Sequence, residues 1–205
     1  VRLAEHRGVR PWPGLLAAAL AAVGAPAPAV TVPERSDARS GAPVWKWAGD
    51  GVDVRAMGRP PDHTRAFFLG RGFPDAAARR YARSCVFGMT LRNRAAGGAI
   101  RHDLSEWRVR TADGVRRLTS EARWQQRWRT MDVPERARTA FAWATFPEAE
   151  SMGEGGYIMG MVAMGLEPGS GFDLVLKWHR DGTRRELVLE DLRCPSSAKS
   201  SEQEG

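Results

Sequence analysis

Phe172–Leu192 reads FDLVLKWHRDGTRRELVLEDL, two runs (Phe172–His179 and Arg184–Leu192) on either side of Asp181-Gly182. Asp-Gly between two such runs is a strong local signal for a β-hairpin, because the favoured two-residue turn needs residues that tolerate positive φ. The signal recurs upstream. Leu104–Arg110 and Val115–Leu118 flank Ala112-Asp113-Gly114 and predict another hairpin. Tyr81–Asn93 (YARSCVFGMTLRN) alternates, with Tyr81, Arg83, Cys85, Phe87, Met89 and Leu91 on one side. That spacing predicts a long strand with one mainly apolar face, and Gly97-Gly98 predicts the turn after it. Arg65–Phe73 (RAFFLGRGF), Ala137–Phe146 (ARTAFAWATF), Tyr157–Met164 and the short Val44–Trp47 read as further strands, with one helical turn at Ala76–Tyr81. Thr119–Thr130 breaks the alternation. Ser120 can cap a helix there, Glu121 suits its first turn, and Trp124, Trp128 and Met131 fall at i, i+4 and i+7.

Seven or eight short strands, regular turn signals and one helix predict a mainly β protein. The expected fold is a single antiparallel β-sandwich with one short amphipathic helix. Residues 63–194 would form it, after an extended Pro/Gly-rich lead-in at 30–62 and before a disordered Ser/Glu/Gln tail at 195–205. Cys85 and Cys194 are the only cysteines. Neither has the close Cys or His neighbours a metal site needs, so a disulfide is expected. It would close a loop of about 110 residues, worth roughly 4–5 kcal/mol in chain-entropy models. It also places Cys85 beside the end of the last strand. One cysteine on an early strand, another at the last strand's end and tryptophan between them resemble immunoglobulin-like domains. The likeness extends to architecture alone, since the spacing departs from a true immunoglobulin domain.

The chain has 205 residues, 42 % of them hydrophobic and 27 % charged, which fits a globular protein and excludes a fibrous one. Residues 1–29 carry Arg2, Arg7 and Arg10, then the uncharged run Leu15–Gly24, then Ala27-Pro28-Ala29. This three-part order predicts a secretory signal peptide cleaved after Ala29. The apolar run is shorter than the ~20 residues a spanning helix needs, and no membrane span is expected in the mature chain. The expected location is periplasmic or secreted.

The net charge is +7 and the pI about 10.4. Lysine contributes only Lys46, Lys177 and Lys199; the other 28 of the 31 basic residues are arginine. Arginine forks suit phosphate and carboxylate partners, while a GC-rich genome also favours arginine and alanine codons. The charge is segregated. Arg55 to Arg138 holds 19 arginines against eight acids, and Ala140 to Leu176 holds five acids and no Lys or Arg. Arg108, Arg110, Arg116 and Arg117 share the Asp113-Gly114 hairpin, and Arg123 and Arg127 are i, i+4 on the helix. Two readings are open: solvated outer faces, or a basic face for an anionic partner. Export argues against nucleic acid and for an envelope protein or an anionic envelope component.

No Gly-x-Ser-x-Gly elbow, His-Glu-x-x-His or phosphate loop is present in the sequence. Gly153-Glu154-Gly155-Gly156 has no following helix to bind a nucleotide phosphate. His102-Asp103 is the one neighbouring His–acid pair that could belong to a dispersed catalytic set. Met159, Met161 and Met164 lie close together, and Met159 and Met161 share a strand face. With His102 they make a candidate copper site in an exported protein; packing the core is the other reading. Trp107, Trp143 and Trp178 are expected in the core. Trp45 and Trp47 are the candidate surface pair. The expectation is an exported, non-catalytic binding or accessory module with an Arg/Trp surface and no resident cofactor. The alternatives are a periplasmic copper-handling protein and an enzyme without a recognisable motif.

Overall fold

The computed structural model describes residues 32–34 and 43–197. The segment read as a signal peptide lies outside the described residues, as does most of the expected tail. Eleven strands are present among the described residues: β1 (Val32–Glu34), β2 (Val44–Gly49), β3 (Val52–Gly58), β4 (Val86–Asn93), β5 (Ile100–Asp103), β6 (Arg108–Thr111), β7 (Gly114–Arg117), β8 (Ala149–Met152), β9 (Tyr157–Ala163), β10 (Gly171–Arg180) and β11 (Thr183–Arg193). The same residues hold four α-helices: α1 (Pro61–Leu69), α2 (Asp75–Ala82), α3 (Glu121–Thr130) and α4 (Glu135–Ala144).

The strands form two antiparallel sheets. The first has the order β1-β2-β3-β4-β9. In the second, β10 is the hub: β11 pairs along one edge, while β6 and β5 pair with the two ends of the other. β7 and β8 lie outside β6 and β5. The hairpin that joins β10 to β11 turns at Asp181 (φ 50°) and Gly182 (φ 72°), the backbone state the Asp-Gly signal requires.

The inner faces of the two sheets share one core. Trp45, Trp47, Phe87, Met89 and Leu91 of the first meet Val109, Leu174, Leu176, Trp178 and Leu189 of the second. Ring contacts cross the seam: Trp47 to Trp178 at 5.9 Å and Phe87 to Phe172 at 5.6 Å. The Cys85–Cys194 disulfide, with Cα atoms 5.2 Å apart, ties the residue before β4 to the end of β11. It is the expected pairing, and it cross-links the two sheets.

A second core lies outside the first sheet. Phe68, Phe73, Tyr81, Trp124, Trp128 and Phe141 from the helical segments pack on Val86, Met161 and Ala163 of β4 and β9. Phe141 is central, with ring centroids 5.0 Å from Tyr81, 5.4 Å from Trp128 and 5.6 Å from Phe68. Each such aromatic contributes roughly 1.5–3 kcal/mol by burial, with about 0.5–1.5 kcal/mol more from a well-arranged ring pair. The layers are helices, first sheet, second sheet.

The expectation of a mainly β, immunoglobulin-like chain with one helix is therefore corrected to a mixed α/β fold with four helices. Two strand readings were largely helical, and a third was right only in its later part. Arg65–Phe73 falls largely within α1, whose buried residues Pro61, Thr64 and Phe68 follow a helical spacing. Ala137–Phe146 is mostly α4, whose buried residues are Ala137 and Phe141. Tyr81–Asn93 begins in the last turn of α2, and the strand starts only at Val86, after Cys85 takes φ 55°. Residues 44–58 are also not an extended lead-in: β2 and β3 form a hairpin inside the first sheet. Gly160 of β9 is required by close approach, since a Cβ there would lie 2.3 Å from the Phe146 backbone nitrogen.

Candidate functional site

Of the residues expected to form a site, Trp45 and Trp47 are buried at 5 % and 8 % exposure, so they are core and not a surface pair. Trp107 and Trp178 are buried as expected, whereas Trp143 is 87 % exposed. On α4, Trp143 sits two residues from the buried Phe141 and points the other way, as helical geometry demands.

The copper set is not brought together. Met161 faces the helical core, Met159 on the same sheet face is 61 % exposed, and His102 lies on the inner face of the second sheet. There His102 packs against Phe146 at 5.1 Å and Trp107 at 6.1 Å. Neither of its ring nitrogens has a hydrogen-bond partner, and the neighbouring Asp103 is turned to the Ser105 backbone amide. Burial pushes the His102 imidazole down to about 4, despite the opposing field of Asp103. Its ring is packed among aromatic side chains and held in the neutral form by burial. Among the described residues a His–carboxylate contact joins His179 Nε2 to Glu106 at 3.1 Å, on the second sheet.

The hairpin arginines are only partly available. Arg108 and Arg117 are cross-strand partners on β6 and β7. The Arg108 guanidinium donates to the carbonyls of Ser105 and Trp107 at 2.6 and 2.7 Å. Arg110 lies 3.7 Å from Asp173. Arg116 and Arg117 remain exposed, with no carboxylate in ion-pair range among the described residues.

A denser basic site lies between α2 and α3. It is an open cleft of about 730 Å³ whose walls include Arg79, Arg80, Arg83, Trp124 and Arg127. Helical spacing builds it. Arg79, Arg80 and Arg83 fall on the last turn and cap of α2, opposite the buried Ala77, Ala78 and Tyr81. On α3, Trp124 and Trp128 are buried. Their rings stack at 5.0 Å and 22°, and the Arg127 guanidinium lies over Trp124 at 4.7 Å. Ser120 caps this helix by accepting from the Arg123 backbone nitrogen.

Charge on this cleft is unbalanced. Asp75 is engaged by Arg65 at 2.5 Å and by Arg79, and these hydrogen bonds hold its carboxyl below the usual carboxylate range. Arg80, Arg83 and Arg127 on its walls, and Arg123 on the adjoining cavity, have no carboxylate within ion-pair distance among the described residues. Glu167 is the other acid on the cleft wall. Partial burial, then the like charges of Arg80 and Arg123, lower the Arg127 pKa. A site that crowds cations in this way favours an anion.

A second, more enclosed cavity of about 280 Å³ adjoins it and shares Thr119 and Trp124 with the cleft. Its buried walls are Tyr81, Trp124, Phe141, Phe146, Met161, Val162 and Ala163. Leu118 is half-buried at its side, and Arg117, Ser120, Arg123 and Glu148 are its exposed rim. The acids here have structural partners. Glu148 accepts from the Glu121 backbone nitrogen, Asp103 from that of Ser105, and Glu121 from Gln125.

The sequence reading found Arg123 and Arg127 but missed Arg79, Arg80 and Arg83. The signal was the Arg-Arg-x-x-Arg spacing at 79–83, which shares one helical surface once Ala76–Tyr81 is extended into a full helix. Among the described residues no group of three or more His, Cys, Asp or Glu could hold a metal ion. No helix among them is long and apolar enough to cross a membrane. Comparison with known proteins finds no matching family model, no matching curated protein and no matching solved structure, so function rests on the site itself.

Proposed function

We propose that the chain is an exported, non-catalytic binding module that takes an anionic envelope component on the cleft between α2 and α3. The observation that carries this reading is the set Arg80, Arg83 and Arg127, gathered beside Trp124 with no carboxylate partner among the described residues. Unpaired guanidinium groups offer charge-assisted hydrogen bonds to phosphate or carboxylate oxygens. Binding is favoured over catalysis because the carboxylates of the adjoining cavity accept hydrogen bonds from structural neighbours, and because His102 is held neutral without a partner. The disulfide suits an oxidising compartment outside the cytoplasm. Mass spectrometry of native material should find an amino terminus at Val30; retention of residues 1–29 would reject export.

The binding reading is tested by titrating the full chain with inorganic phosphate at low salt and following tryptophan fluorescence. Arg80→Gln with Arg127→Gln should weaken binding by roughly 10- to 100-fold, the scale of one or two lost charge-assisted hydrogen bonds. Arg110→Gln with Arg116→Gln, on the hairpin and outside both the cleft and the cavity, should leave it unchanged. Equal loss from both pairs would indicate diffuse charge attraction and reject the cleft. Loss from the hairpin pair alone would move the site there.

A further inference from the structure

The cleft and the cavity follow the same three segments side by side. On α2, Arg79, Arg80 and Arg83 face the cleft while Tyr81 faces the cavity; on α3, Arg127 faces the cleft while Arg123 borders the cavity. Ala163, the last residue of β9, lines the cavity, and Gly165 just beyond it lines the cleft. Thr119 and Trp124 belong to both. A cationic cleft therefore lies directly against a cavity whose buried walls are apolar and whose rim is polar and charged. Protein interiors are otherwise close-packed, and keeping a cavity walled by Phe141, Phe146, Met161 and Val162 lowers stability. Its volume of about 280 Å³ is close to the ~300–1,000 Å³ of small-molecule sites.

We infer that the ligand is an amphiphilic anion, with its acidic head on Arg80 and Arg127 and its apolar chain in the cavity beside Leu118 and Phe146. This rests on the binding reading above and names the ligand class for it. The apolar walls exclude a purely ionic ligand as the best occupant, since a charge placed there would be desolvated without a partner. The arginines exclude an uncharged hydrocarbon as the best occupant, since it would leave their hydrogen-bonding capacity unused. Trp124, stacked on Trp128 and covered by Arg127, is a fixed partition at which head and chain would meet.

The test is a titration of the full chain with inorganic phosphate, then butyl, hexyl and octyl phosphate, and octyl glucoside as the uncharged control. Affinity should rise roughly fourfold per methylene along the phosphate series, as burial of each CH₂ predicts. Octyl glucoside should bind at least tenfold more weakly than octyl phosphate. Leu118→Trp should remove the chain-length increment and leave inorganic phosphate binding unchanged. The wild-type chain-length series decides the question even if that variant fails to fold. Phosphate bound with no increment along the series overturns the amphiphile and leaves the anion cleft standing. Octyl glucoside binding as tightly as octyl phosphate also overturns it. Binding of no anion at all removes both readings.

Discussion

His102 is a histidine inside an aromatic box, between Trp107 and Phe146, with both ring nitrogens unpaired. Its burial makes it a source of acid sensitivity. The folded imidazole titrates near 4, against the ordinary 6.5 of an exposed one, because desolvation penalises the cation. The unfolded chain therefore binds this proton more tightly. Stability that is complete above pH 6.5 is lost as pH falls toward 4, by about 3 kcal/mol in all. The carboxyls of Asp75 and Asp103 are held low by hydrogen bonds. Their contributions are present above the ordinary carboxylate range and disappear at lower pH still, so the two effects separate. Urea midpoints measured from pH 7 to 4.5 should fall for the wild type and stay nearly flat for His102→Leu. An unchanged slope in the variant would show that the titrating group lies elsewhere. Nothing in the His102-Asp103 dipeptide announced this, because burial depends on β5 pairing with Trp178 of β10, far along the chain.

Elements differ in how far their own residues declare them. Both Asp-Gly hairpins were legible, because a two-residue turn is fixed by the φ its residues tolerate. The capped α3 was legible for the same local reason. α1 and α4 were not. Phe141, Trp143 and Thr145 alternate as a strand would, yet Ala137, Phe141 and Ala144 also fit one helical face, and only the outer face of β9 decides between them. Pro60-Pro61 and Pro134, at the starts of these helices, were the overlooked signals. The disulfide was legible from two lone cysteines and an expected oxidising compartment, and its effect belongs to the elements it joins. Cys85 and Cys194 are separated by 109 residues, and the link fastens β4 to β11. Cys85→Ala with Cys194→Ala should lower unfolding free energy by about 4–5 kcal/mol if the loss is mainly chain entropy. Reducing agent should lower the wild-type denaturation midpoint to the same degree. A double variant within ~0.5 kcal/mol of wild type would show that the sheets' shared core fixes their docking unaided.

At the scale of the whole molecule, the arginine excess between residues 55 and 138 was legible, but the surface it forms was not. The cleft is assembled from α2, α3 and the Gly165–Glu167 segment, which come together only when the helices cover the first sheet. The molecule thus has two cores on opposite faces of one sheet. The disulfide closes the sheet–sheet side, and the proposed site depends on the helical side. Phe141 lies at the centre of the helical core and takes no part in the sheet–sheet core. Phe141→Ala should remove about 3–5 kcal/mol from that layer. Hydrogen exchange should then become roughly 10²–10³-fold faster for amides of α1 to α4, while β10 and β11 retain wild-type protection. Trp143→Ala, two residues away but exposed, should change neither region by more than ~0.5 kcal/mol. Anion binding at the cleft should weaken in the Phe141 variant and persist in the Trp143 variant, because the arginines are positioned by the helices that Phe141 holds down. Uniform loss of protection through α1–α4 and β10–β11 would mean that the two cores unfold as one unit. The site would then share the stability of the entire molecule.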